Sequence, residues 1–150
     1  MRPSVLIVGA GNAYRRDDGA GAAAIKRLGT LPAHVRAVVA NGDAASLLDE
    51  WEGADVVIVI DAMMSRAAPG TIRRYDAHAG PLPAAFSRAS THAFGIGEAI
   101  ELARLVRRLP KRVIVFGIEA RHVTVGEGLS AEVEAAVDEV VPLVLSAAVE

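Results

Sequence analysis

Two stretches of the chain are apolar at every position. Val5-Leu6-Ile7-Val8 runs into Gly9, and Val56-Val57-Ile58-Val59-Ile60 runs into Asp61. A third, Val113-Ile114-Val115-Phe116-Gly117-Ile118, is interrupted only by glycine. Runs of this length and β-branched content predict strands covered on both faces, as in parallel sheets. Val35 to Ala40 predicts a further strand, and the alternation from Thr71 to Tyr75 an edge strand. Between them the period changes to that of a helix. Asp17-Asp18-Gly19 leads into a helix with Ala24, Ile25 and Leu28 on one face, which Gly29 and Pro32 end. Leu47, Leu48 and Trp51 mark a short second helix. Ile96, Ala99, Ile100, Ala103 and Val106 form the inner stripe of a third, with Glu98, Glu101, Arg104 and Arg108 outside. Val133, Val137, Val140, Val141 and Val144 form that of a last helix with Ser130 as N-cap. Residues 77–89, rich in Ala, Pro and Gly, read as a loop. Strands alternating with helices predict one α/β domain over residues 1–150. Its fold is a doubly wound, mostly parallel sheet with helices on both faces, a three-layer sandwich.

Composition narrows the function. Of 150 residues, 52% are hydrophobic and only 4% aromatic, so the core is aliphatic. Sixteen basic and 18 acidic residues leave a formal net charge of −2, without the basic footprint of a nucleic-acid binder. The absence of cysteine excludes disulfides, thiolate metal sites and cysteine nucleophiles. No apolar stretch reaches the roughly 18–20 residues of a membrane span, and the first residues lack the pattern of a secretory leader. The expectation is a soluble cytoplasmic protein.

In open α/β sheets, ligands bind beyond the carboxyl ends of the strands. That rule selects the residues after the first strand, Gly9-Ala10-Gly11-Asn12 and Asp17-Asp18, together with Asp61 and His92. Two carboxylates and an imidazole on one rim suit a borderline divalent ion such as Ni²⁺ or Zn²⁺, and three ligands leave a coordination position open. Each residue also has an ordinary explanation. Asp17 and Asp18 can complement a helix dipole, and His92 can cap a helix. A carboxylate closing a wholly apolar strand is harder to dismiss, because its burial is costly without a partner or a task. Gly9-Ala10-Gly11 opens like a dinucleotide fingerprint, but Tyr14 stands where the third glycine belongs. No G-x-S-x-G elbow is present.

The same residues carry a family resemblance. Val5 to Asn12 followed by Asp17-Asp18-Gly19-Ala20-Gly21, Val59-Ile60-Asp61-Ala62 with Pro69-Gly70-Thr71, Ser90-Thr91-His92-Ala93-Phe94-Gly95, and Val115 to Glu119 with Gly126 to Ser130 appear in that order. Together they resemble the hydrogenase maturation endopeptidases. The resemblance implies a cytoplasmic hydrolase of aspartyl type. It would remove the C-terminal extension of a nickel–iron hydrogenase large-subunit precursor after nickel insertion. It implies Asp18, Asp61 and His92 as metal-reading and catalytic residues, with Asn12, Asp17 and Asp43 toward the substrate. The ion is Ni²⁺ carried by the precursor, with a divalent ion such as Zn²⁺ able to substitute in vitro. Whether the metal or a carboxylate activates the water stays open. The family more often has Glu at the position of Asp18, and Asn41-Gly42-Asp43 departs from its usual segment. The competing hypotheses are a non-proteolytic nucleotide- or phosphate-binding domain using the Gly9–Gly11 loop, and a chaperone-like metalloenzyme partner.

Overall fold

The computed structural model describes residues 2–40, 44–89 and 95–150. Its five strands are β1 (Val5–Ala10), β2 (Val35–Ala40), β3 (Val56–Met63), β4 (Ile72–Asp76) and β5 (Arg112–Glu119). The helices are α1 (Ala20–Lys26), α2 (Ala44–Glu50), α3 (Ala85–Ala89), α4 (Ile96–Leu105) and α5 (Ala131–Ala147), with a 3₁₀ turn at Arg16–Gly19 leading into α1. The sheet order is β2-β1-β3-β5-β4. All neighbours are parallel except β4, which runs antiparallel to β5 at the edge.

Alternation along the strands divides the interior into two cores. Val5, Ile7, Ile58, Ile60, Phe116 and Ile118 pack against α1 and α5. Leu6, Val8, Val57, Val59, Val113 and Val115 pack against α2, α3 and α4. All eight residues of β3 are buried, which requires a layer on each side and explains the unbroken apolar run. The doubly wound fold expected from the sequence is the fold observed.

Four local expectations change. β3 does not stop at Asp61: it continues through Ala62 and Met63, because β5 keeps pairing with it as far as Met63↔Glu119. Residues 77–89 are not all loop, since Ala85–Ala89 forms α3 and seats Phe86 in the core. Val106 lies past the end of α4 and is 47% exposed. Ser130 holds the N-cap position of α5, but its side chain makes no cap bond; the hydroxyl is engaged elsewhere, as shown below.

β1 connects to β2 on one side, and the chain then returns to place β3 on the other. The strand order therefore reverses between β1 and β3, and such a switch point opens a crevice at the strand ends. Two glycines let α1 lie against it. A Cβ on Gly9 would sit 2.3 Å from the Gly21 carbonyl oxygen, and one on Gly21 would sit 2.5 Å from the carbonyl oxygens of both Ala10 and Ile60. These are backbone atoms of a packed helix and packed strands and cannot swing aside. Gly21→Ala is expected to destabilise the fold by about 1–3 kcal/mol, the usual penalty for overpacking. A lower urea midpoint with an unchanged m-value would show it; an unchanged midpoint would contradict the close packing.

Candidate active site at the β1/β3 switch point

Asp61 lies within β3, opposite Gly117 of β5. It has the parity of Val57, Val59 and Met63, which belong to the core beneath α3 and α4. Gly117 is required beside it: a Cβ there would lie 2.7 Å from Met63 Sδ and 2.8 Å from Phe86 Cζ. Asp61 is 5% exposed, and its Oδ1 accepts the Ala62 N–H at 2.8 Å. Burial pushes its carboxyl well above the ordinary aspartate range, and the charge of Asp18 pushes it in the same direction.

Asp18 reaches the site from the 3₁₀ turn after β1. It is 3% exposed, and its Oδ2 accepts the Asn12 N–H at 3.0 Å. Gly11, at φ +113°, makes this approach possible, since a Cβ on it would meet the Asp18 carbonyl oxygen at 2.1 Å. Asn12 shapes the same loop by accepting the Tyr14 N–H through Oδ1 at 2.9 Å. The structure thus brings Asp18 and Asp61 together across the switch point, each buried and within the other's field. Two desolvated like charges are unfavourable alone and favourable around a cation.

His92 and Asp43 lie outside the described residues. Among the described residues, no group of three or more histidine, aspartate or glutamate side chains is arranged to hold a metal ion. Asp18 and Asp61 therefore form the described part of the candidate site.

Asp17 has a different setting from its neighbour. It is fully buried, at 0% exposed. Its carboxylate accepts N–H bonds from Arg121 (2.8 Å), His122 (3.0 Å) and Ser130 (2.7 Å), and the Ser130 hydroxyl donates to it at 2.9 Å. Burial raises its pKa, but these bonds outweigh burial, led by the His122 amide, and the net shift is downward. The carboxylate ties the segment after β5 to the turn before α1. The paired backbone bonds of Arg16 and Tyr14 with Gly126 continue the seam. With no surface exposed, Asp17 presents nothing to a substrate in this conformation.

One buried acid carried no assigned role in the sequence. Glu119, 2% exposed at the end of β5, accepts the Ser65 N–H at 2.9 Å and the Ser65 hydroxyl. The signal for it was the one that singled out Asp61, a carboxylate ending an apolar strand.

Fold and site together define a doubly wound α/β protein with a buried carboxylate pair at the mouth of its sheet. The comparisons give the family. The sequence model of the hydrogenase maturation proteases matches residues 22–147, and the chain belongs to that family. It is 28% identical over 120 residues to the hydrogenase expression/formation protein HupD of Thiocapsa roseopersicina, covering 78% of this chain and 54% of that one. An endopeptidase from Escherichia coli superposes with a TM-score of 0.84 at 26% identity, covering 98% of this chain and 91% of its own. The [NiFe] hydrogenase maturation protease HybD from Thermococcus kodakarensis superposes with a TM-score of 0.71 at 26% identity, over 99% of both chains. The chain spans about half the length of the first curated relatives it matches, 54% and 56%.

Asp17→Ala would strand three N–H groups and a hydroxyl that now share one carboxylate. Each unpartnered buried donor costs about 1–3 kcal/mol, so a loss of at least ~3 kcal/mol is expected in chemical denaturation. Amide exchange at Arg121, His122 and Ser130 should accelerate. Protection equal to that of the unaltered chain would remove Asp17 from this structural role.

Proposed function

We propose that this protein is a cytoplasmic endopeptidase that removes the C-terminal extension of a nickel–iron hydrogenase large-subunit precursor once nickel is in place. The observation that carries the proposal is the buried Asp18–Asp61 pair at the switch point. A desolvated pair of carboxylates is poised to complete the coordination of a cation that another molecule presents. His92 joins them on the family resemblance. The substrate's nickel then positions the scissile segment over the strand ends, and hydrolysis adds water across one peptide bond. The oxygen goes to the acyl carbon and a proton to the departing amine. A carboxyl raised by burial, as Asp61 is, is also a stronger proton acceptor than an ordinary aspartate. The relatives support the reading: one solved neighbour is an endopeptidase from Escherichia coli and another a [NiFe] hydrogenase maturation protease from Thermococcus kodakarensis. Among the described residues, no helix is long and apolar enough to cross a membrane.

The phosphate-binding alternative fares worse at the same loop. The Asn12 N–H, which a phosphate at the Gly9–Gly11 loop would need, already donates to Asp18 Oδ2. An anion there would meet the carboxylate that Gly11 makes room for.

The test uses purified precursor with and without nickel, each mixed with metal-stripped protease. Nickel-loaded precursor should be shortened and nickel-free precursor left intact. Equal cleavage of both would refute metal recognition, and activity that returns only when metal is restored to the protease would make it a conventional metalloprotease. Asp61→Asn should reduce processing at least ~100-fold. It should leave the thermal midpoint unchanged or higher, since it removes one of two opposed buried charges. Full processing by that variant would exclude Asp61 from the site.

A further inference from the structure

Beyond Asp61 the same rim continues into a crevice of about 750 Å³, lined by Met64, Arg66, Arg88, Glu119, Arg121 and His122 among others. Met63, paired with Glu119, is two residues past Asp61, about 7 Å along the strand at the usual rise. Three arginines, Arg66, Arg88 and Arg121, line this space. The acid within it, Glu119, is engaged by Ser65. The acid outside it, Glu132, holds Arg121 at 3.1 Å in a pair whose side chains are 52% and 40% exposed. An exposed pair of that kind is weak and readily exchanged for a better partner.

The backbone that presents Arg66 and Arg121 is held by two buried acids with no place in metal recognition. Glu119 anchors Ser65, the residue before Arg66. Arg66 adopts φ +72°, a left-handed conformation unfavourable for a side chain of its size, which persists where the surroundings enforce it. Asp17 anchors Arg121 and His122 through their amides. Arg88, on α3, donates to the Met64 carbonyl at 3.4 Å. A backbone fixed in this way lowers the ordering cost of presenting these exposed side chains to a ligand of opposite sign.

We propose that this crevice binds a carboxylate of the peptide tail that is to be cut away. Arg66, Arg88 and Arg121 supply the recognising groups; Glu119 positions the segment of Arg66 and Asp17 that of Arg121. The proposal rests on the protease reading and assigns the feature of the tail that the enzyme holds while Asp18 and Asp61 face the metal. Guanidinium forks match carboxylates two bonds at a time. The carboxylate comes from the tail's own C-terminus or from an Asp or Glu side chain within it.

Three peptides of nine residues, each carrying an uncharged BODIPY label, distinguish these sources by anisotropy. One is neutral with a free C-terminus, one is the same peptide amidated, and one is amidated with two internal glutamates. The free-acid or the glutamate peptide should bind and the neutral amide should not; whichever binds names the source. Arg66→Gln, Arg88→Gln and Arg121→Gln should each weaken that binding roughly tenfold. In precursor processing each should raise KM with little change in kcat, and Arg66→Lys should recover part of the loss. Circular dichroism identifies any variant that fails to fold, and the other two then carry the test. Equal binding of all three peptides, or unchanged affinity in folded arginine variants, overturns the proposal. The binding assay involves no hydrolysis. A chain that holds acidic peptides through these arginines yet cuts no precursor would support the crevice assignment and fail the protease reading.

Discussion

The contact between Gly9 on β1 and Gly21 on α1 governs the geometry of the site. With no side chain on either residue, the helix rests directly on backbone, so close that a Cβ on Gly21 would lie 2.5 Å from the carbonyl oxygens of both Ala10 and Ile60. The helix start is thereby drawn down onto the switch point between β1 and β3. The turn before it delivers two consecutive acids to opposite uses. Asp18 reaches the mouth of the sheet, where Asp61 waits on β3. Asp17 enters a nest of donors formed by the segment after β5. A Cβ at either glycine would lift α1 and move both acids together.

Among the described residues four buried acids sit near this rim, and their surroundings separate them. Asp17 is surrounded by donors and is held ionised. Glu119 is taken by one serine. Asp61 has burial and the neighbouring charge of Asp18 against it. Carboxylates with enough donors are structural, whereas a pair set against each other stores an unfavourable interaction that a cation relieves. The locking acids and the opposed pair are therefore parts of one arrangement, in which the first hold the frame within which the second is poised.

Much of the fold was legible in the sequence because β1, β3 and β5 carry nearly unbroken apolar runs and the longer helices α4 and α5 keep an apolar stripe. The misreadings have local causes. Asp61 looked like a strand end because carboxylates rarely sit within a buried strand; the pairing with β5 carries the chain past it. The five residues of α3 are too few to show a period among Ala and Pro. The switch-point acids could be found from their place after apolar runs. The role of Asp17 could not, since its partners Arg121 and Ser130 lie 104 and 113 residues away in the chain. Nor could the gathering of Arg66, Arg88 and Arg121, which three separate elements bring to one crevice.

In the proposed function Asp18 and Asp61 jointly face a divalent ion at the β1/β3 switch point. Anomalous diffraction from crystals soaked in millimolar Ni²⁺ tests it most directly. The account predicts one ion bonded to oxygens of both carboxylates at about 2.0–2.2 Å, lost in crystals of the Asp61→Asn variant. An ion held by neither carboxylate, or a site that persists unchanged in that variant, would contradict it.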